Sequence, residues 1–406
     1  MDLWCYTPYY DRYLCESLAA ENVEVTLGSV SPYEDPTYFR RQGLENDPGL
    51  VDMVPKLGIT NQTLRRALML IESSANMAAL SVRFALEKPD IVHVQWTPLV
   101  RRLPFEIWFL RLLKALRIKL VYTVHNSLPH DTGRKFLPVF KRVYGLMNAL
   151  ICHTQEAKRQ LVADFSVSPD KLTVIPHGPL FHDSERQSVR ASRARLSLPE
   201  NSVLVLWQGI IRSYKGISFL LEAWKKMPHT GDALLLIAGT GEVSSLEDIK
   251  RQVARLRLED SVRLDLRFIP DEELSSYYQA ADILVLPYRE VTTSGAFMTA
   301  LTYHKAMVVT RLAAFQEVLN GTGAVVYVDY GDTEGFAEAL TKLIREPSER
   351  KRLARASETW DMGENSWARI AKETRGCYAK VLANGSKATS KFTAHEVATP
   401  QKETLA

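Results

Sequence analysis

Trp207-Gln208-Gly209-Ile210-Ile211-Arg212-Ser213-Tyr214-Lys215-Gly216 is the stretch on which the reading of this chain turns. An apolar run, Val203–Trp207, leads into it, and apolar residues at helical spacing over Gly216–Lys226 lead out of it. The pattern is strand, tight loop, helix. Gly209 allows the backbone to turn and to approach a ligand closely. Arg212 and Lys215 stand beside the start of the following helix, where unpaired N–H groups favour anions. One reading is a diphosphate cradle. The other is two solvated basic residues in an ordinary strand-to-helix loop. A P-loop is excluded, because no G-x-x-x-x-G-K-[ST] occurs.

The same alternation runs outward in both directions. Expected strands are Leu3–Tyr6, Val23–Leu27, Ile91–Gln95, Lys119–Val124, Ala149–Cys152 and Leu172–Ile175, then Val203–Trp207, Leu234–Ala238, Val262–Asp265, Ile283–Leu286, Met307–Thr310 and Ala324–Val328. They are rich in Val, Ile and Leu without strict alternation, as strands buried on both faces of a parallel sheet are. Helical spacing fills the gaps, for example at Arg65–Leu86, Leu274–Ala281 and Thr333–Ile344. The fold class is α/β, with two Rossmann-like domains whose ligand crevice lies at the carboxyl ends of the strands. The polar stretch Asp183–Leu198 divides them, giving domains 1–182 and 183–357. A final amphipathic helix occupies 358–383. Residues 384–406, rich in Ser, Thr and Lys, are expected to be disordered.

The 406 residues suit two domains. A net charge of +4, from 51 Lys+Arg against 47 Asp+Glu, is too small to argue for nucleic acid. Cys5, Cys15, Cys152 and Cys377 have no metal-ligand spacing and read as free thiols. The N-terminal residues lack the pattern of a signal peptide, and no apolar run is long enough to span a membrane. A cytoplasmic location is the expectation. Neither D-x-D nor H-E-x-x-H occurs, so no metal is expected.

Several further motifs stand in order along the chain. They are Pro89-Asp90-Ile91-Val92-His93-Val94-Gln95, Val121-Tyr122-Thr123-Val124-His125-Asn126, Thr173-Val174-Ile175-Pro176-His177-Gly178, Ile237-Ala238-Gly239-Thr240-Gly241 and Tyr278–Pro287. With Gly209 to Lys215-Gly216, the set resembles the GT-B glycosyltransferases of family 4 over roughly residues 1–382. Thr292-Thr293-Ser294-Gly295-Ala296 is similar to a loop of bacterial exopolysaccharide mannosyltransferases. The resemblance implies a GT-B fold: two Rossmann-like domains facing a cleft, with the C-terminal helix crossing back to the first. It also implies metal-independent transfer of a hexose, with mannose from GDP-mannose the first expectation, from a nucleotide sugar to a saccharide or lipid-linked saccharide. Cofactors are not implied beyond that cosubstrate.

On this resemblance Gly209, Arg212, Lys215, Thr293, Ser294 and Gly295 would hold the donor diphosphate. Thr299, Glu290 and Ile269 would meet its nucleotide or sugar. His125 ends a buried strand and, with Asp131 in the same loop, is a catalytic candidate; a loop Asp is also a common helix cap. Two departures stand out. The glycine-rich loop of the family is replaced by Thr7-Pro8-Tyr9-Tyr10-Asp11-Arg12-Tyr13. Tyr9, Tyr10 and Arg12, with Trp96, are acceptor-side candidates, or else pack the first helix. The family's E-x7-E pair is absent: its positions fall on Val291 and Thr299, with Glu290 one place early. Arg101–Lys119 mixes cations with Phe105, Trp108 and Phe109. It either covers the first sheet or lies on an anionic membrane surface. An epimerase or phosphorylase of the same fold, or a non-catalytic sugar-nucleotide binder, are the alternatives.

Overall fold

The computed structural model describes residues 1–393 except 45–48, 60, 102, 129–133, 182–185, 229–232, 320, 361–362 and 364. Ten strands form two parallel sheets. The first is β1 (Ile91–Val94), β2 (Lys119–Val124), β3 (Ala149–Cys152) and β4 (Leu172–Val174), in the order β1-β2-β3-β4. The second contains β5 (Val203–Gln208), β6 (Ala233–Ala238), β7 (Val262–Asp265), β8 (Ile283–Leu286), β9 (Ala306–Thr310) and β10 (Val325–Val328), in the order β10-β9-β8-β5-β6-β7.

Both faces of each sheet are covered, which is why the strands read as continuous apolar runs. In the first sheet Leu120, Tyr122, Val124, Leu150 and Cys152 point into a core shared with the helices Gln62–Glu87, Phe105–Ala115 and Leu137–Leu146. Their neighbours Val121, Ala149 and Ile151 point the other way, onto the helices Pro8–Ala20 and Trp367–Thr393. The C-terminal helix therefore crosses back and supplies half the cover of the first sheet. Its Trp367, Ile370, Ala371 and Thr374 are buried at the helical spacing seen in the sequence, Tyr378 is half-buried with its hydroxyl 2.7 Å from His93 Nδ1, and Cys377 is buried beside them. The second sheet divides the same way, with Leu204, Leu206 and Leu236 on one face and Val205, Trp207 and Leu235 on the other.

Two expected strands do not form. The Asp2 carboxylate accepts hydrogen bonds from the backbone N–H groups of Trp4 (3.4 Å), Tyr6 (2.5 Å) and Thr7 (3.0 Å). That curls Leu3–Tyr6 into a turn. Val23–Leu27 then has no partner ladder, and an isolated bridge between Asp2 and Ser29 is what remains. Two boundaries also move. Trp360 is buried in the second domain's core rather than opening the last helix, which starts at Trp367. That helix continues to Thr393, so residues 384–393, expected to be disordered, are helical. The Ala, Lys and Ser of this stretch tolerate helix once a docked segment has nucleated it. The rest of the expected tail lies outside the described residues.

Candidate active site

In the second sheet β5 is the strand at which the order reverses, with β6 and β7 on one side and β8 to β10 on the other. The crevice between the carboxyl ends of β5 and β8 is thus the topological switch point, where doubly wound sheets bind ligands. The two loops singled out in the sequence leave these adjacent strands. Arg289 N–H donates to the Tyr214 carbonyl at 2.7 Å, joining them. Gly216 sits at φ 71°, and a Cβ there would lie 1.8 Å from the Pro287 carbonyl oxygen. Only glycine lets the Lys215 loop lie this close to the end of β8.

Lys215 is the electrostatic centre of this crevice. Its Nζ lies over the Gly209 backbone, 2.9 Å from where a Cβ would be, and 5.6 Å from the centroid of the buried Tyr288 ring. Among the described residues no carboxylate pairs with it. Burial, aided by the Arg212 charge, pushes its pKa down from 10.5 to about 8. A partly desolvated ammonium without a counter-ion is a site prepared for an anion. Arg212 is half exposed and reaches Glu242 at 3.6 Å. Glu242 also meets Arg66 of the first domain at 3.6 Å, so this carboxylate bridges the cleft mouth.

Ser294 caps the helix Gly295–Leu301 by accepting from Phe297 N–H at 3.2 Å. Thr293 precedes it in the same half-buried loop. Gly295 faces the first domain: a Cβ there would come within 2.8 Å of Leu180 Cδ1 and 3.3 Å of His177 Cε1. The loop thus lies where both domains meet. Glu290 is exposed at the end of β8, 3.4 Å from Arg289.

Across the cleft the first sheet presents a row of histidines. His93 lies in β1, His125 and His153 directly follow β2 and β3, and His177 follows β4. All except His93 are buried by exposure. His125 stacks on Trp96 (ring centroids 5.4 Å, 12° between planes) and meets the edge of Tyr10 at 4.7 Å. Its Nε2 is 3.0 Å from Gln95 Oε1, and its Nδ1 is 3.4 Å from His153 Nε2. His153 and His177 rings are 5.2 Å apart. Desolvation lowers all four pKa values, to about 3 for His93 and His153 and about 4 for His177, so the row is neutral. The sequence reading missed His153 and His177, although V-T-V-H, L-I-C-H and V-I-P-H repeat one signal: histidine at a strand's carboxyl end.

Other expected site residues are placed elsewhere. The Thr299 hydroxyl donates to the Leu180 carbonyl at 2.9 Å and accepts from Leu180 N–H at 3.1 Å. It is buried and fastens the domain connection instead of facing a ribose. Arg12 pairs with Glu16 at 2.9 Å along its own helix and lies over the Tyr13 ring. Tyr9 packs between Tyr38 and Phe181, at 4.9 and 4.5 Å. Tyr10 is buried under the histidines and Trp367. Ile269 belongs to the core beside Leu274 and Tyr278. Asp131 lies outside the described residues. Of the acceptor-side candidates, Trp96 stays at the site, half-buried against His125.

Two parallel-sheet domains facing a cleft, cations at the switch point and a crossing C-terminal helix define the GT-B architecture. Known structures of that class superpose on most of the chain. Sucrose-phosphate synthase from Thermosynechococcus elongatus gives a TM-score of 0.71 at 19% identity, covering 92% of this chain and 93% of that one. Anabaena HepE in complex with UDP and glucose gives 0.72 at 14% identity, covering 93% and 98%. In sequence, the model for Glycosyltransferase Family 4 matches residues 10–178 and that for Glycosyl transferases group 1 matches residues 202–346. The chain belongs to the GT-B glycosyltransferases of the family 4 kind. Among curated relatives, D-inositol 3-phosphate glycosyltransferase of Thermomonospora curvata is 28% identical over 219 residues, which is 50% of this chain and 51% of that protein. The match therefore spans about half the length of that relative. The Corynebacterium glutamicum protein of the same description is 24% identical over 302 residues, 68% of this chain and 70% of that one.

Proposed function

We propose that this protein transfers a hexose from a nucleoside diphosphate sugar to a hydroxyl of a saccharide or lipid-linked saccharide. The observation that carries this is the Lys215 ammonium, desolvated at the switch point with no carboxylate partner among the described residues. In the reaction the bond between the sugar C1 and the diphosphate oxygen breaks, and its electron pair leaves with the diphosphate. The acceptor oxygen bonds to C1 and releases its proton. Lys215 and Arg212 would neutralise the growing charge on the diphosphate, the role a metal plays in other transferases. The Thr293–Gly295 loop would contact the same group. Family membership supports a nucleotide-sugar donor. The relatives do not single out mannose, and HepE structures were solved with UDP and UDP-glucose. UDP-glucose and GDP-mannose therefore enter a donor panel side by side. The test is release of nucleoside diphosphate from each donor, followed by NMR of the product's anomeric centre. Binding without release from any donor, with or without acceptors, would instead fit a sugar-nucleotide binder.

One observation supports delivery of the acceptor at an anionic membrane. The helix Phe105–Ala115 covers the first sheet with Ile107, Phe109, Leu110 and Leu113. Its outer side leaves Phe105, Trp108 and Leu112 exposed, at 39%, 56% and 41%. Arg111, Lys114 and Arg117 are exposed beside them, while Glu106 is buried. Aromatic and cationic residues on one helix side suit the lipid headgroup region. Among the described residues no helix is long and apolar enough to cross a membrane. Co-sedimentation with phosphatidylglycerol vesicles, lost in Trp108→Glu and in high salt, tests the idea; equal binding to neutral vesicles would refute it.

A further inference from the structure

The row of neutral histidines has a definite proton arrangement. His153 Nδ1 lies 3.0 Å from the Ile175 carbonyl oxygen. A carbonyl only accepts, so Nδ1 carries the hydrogen. A neutral imidazole has one N–H, which leaves His153 Nε2 bare. That bare nitrogen faces His125 Nδ1 at 3.4 Å. Two bare nitrogens would repel, so His125 must donate from Nδ1. Its own Nε2 is then bare in turn. The group 3.0 Å from that nitrogen is the Gln95 side-chain amide. The amide satisfies it by turning its NH₂ toward the ring, since oxygen and nitrogen exchange places by a simple flip. The opposite arrangement fails at the far end, because a bare His153 Nδ1 would face the Ile175 carbonyl. The backbone of the segment after β4 thus sets the proton position on a ring after β2. Stacking of Trp96 on His125 and the edge contact of Tyr10 fix the ring plane; turning the ring over within that plane would set carbons in place of the nitrogens that meet His153 and Gln95.

We propose that His153 is a positioning residue: it holds His125 in the tautomer protonated on Nδ1, leaving Nε2 as a hydrogen-bond acceptor. The tautomer follows from the structure alone. Its bearing on transfer rests on the reading of His125 as a site residue. On that reading His125 accepts from a sugar hydroxyl, which takes the place of the Gln95 NH₂. It does not act as an acid toward the leaving diphosphate.

The test uses the full chain labelled with ¹⁵N-histidine. Long-range ¹H–¹⁵N correlation distinguishes protonated from bare ring nitrogens, and the His125 signals are assigned by their loss in His125→Phe. The expected result is Nδ1–H in the wild type and Nε2–H in His153→Ala, where the Gln95 carbonyl can turn back to accept. His153→Gln, whose side-chain oxygen can accept from Nδ1–H, should retain the wild-type tautomer and guards against misfolding of the alanine variant. A wild-type His125 protonated on Nε2, or one unchanged in a folded His153→Ala, overturns the proposal. Turnover is read on the same samples. It should fall about tenfold in His153→Ala, the worth of one net hydrogen bond, and recover in His153→Gln. A tautomer that switches with no change in turnover leaves the relay standing and overturns the role of His125 instead.

Discussion

Replacing Lys215 by Met should improve the stability of the free protein and remove its function. The pKa fall from 10.5 to about 8 is at most roughly 3 kcal/mol of unfavourable desolvation. The residue keeps some contact with solvent, so about half of that, ~1.5 kcal/mol, is the expected gain when the charge is removed. The sign follows from linkage. A lysine whose folded pKa lies below its unfolded value destabilises the fold at neutral pH, and the penalty is relieved as pH rises from about 8 toward 10.5. The melting temperature of Lys215→Met without ligand should therefore rise by about 2–4 °C per kcal/mol. The wild-type advantage appears with donor: a lost contact to the leaving diphosphate costs ~2.7–4 kcal/mol, or roughly 10²–10³ in turnover. A bound diphosphate raises the lysine pKa, so donor affinity should hold steady up to about pH 8 and weaken tenfold per pH unit above it. Lys215→Arg, which does not titrate in this range, should flatten that profile. Thermal melts with and without UDP or GDP, and donor KM from pH 6.5 to 9.5, provide the readouts. A Lys215→Met protein that is less stable, or that keeps wild-type turnover, would refute the reasoning.

Gly295→Ala should lower activity more than stability, because the methyl group would push against Leu180 and His177 where the domains meet; kcat/KM and melting temperature measured together check it. Turnover should survive EDTA, since two cations are already set at the phosphate site; loss on chelation restored by Mg²⁺ or Mn²⁺ would refute a metal-independent transfer. Ending the chain after Glu358 should strip the Val121, Ala149 and Ile151 face of its cover and abolish cooperative unfolding, whereas ending it after Ala383 should leave melting and turnover near wild type. Acid should destabilise the first domain, because His93, His153 and His177 are neutral when folded and must bind protons to unfold below their ordinary 6.5. Each is expected to cost about 2 kcal/mol by pH 5, so urea midpoints should fall from pH 7 to pH 5, and unchanged midpoints would contradict their burial.

Much of this architecture is legible in the linear sequence because its signals are local. A Val-, Ile- and Leu-rich run buried on both faces announces a parallel strand, and β1 to β10 each match a run read that way to within one residue at either end. Gly209, Arg212, Lys215 and Gly216 could be placed on a strand-to-helix loop from their spacing alone, and the helical stripe from Trp367 to Tyr378 marked a face that something had to cover. The failures occur where another group, near in the chain or far, takes up the polar atoms that the pattern left open. Leu3–Tyr6 looks like a strand, but the Asp2 carboxylate takes up its N–H groups and no ladder can form. Arg12 reads as a lone cation until Glu16 pairs with it, and Thr299 as free until the Leu180 backbone uses its hydroxyl. Which ionisable groups are desolvated is likewise a tertiary property. Arg212 and Lys215 are equivalent as letters, yet one reaches Glu242 at the surface and the other is left with no carboxylate partner among the described residues. The sequence by itself determined β1 to β10, their burial on both faces and the loops that carry the cations. The tertiary structure alone decided that His125, His153 and His177, far apart in the chain, end side by side past the strand termini of one sheet, because parallel packing brings every carboxyl end to the same edge.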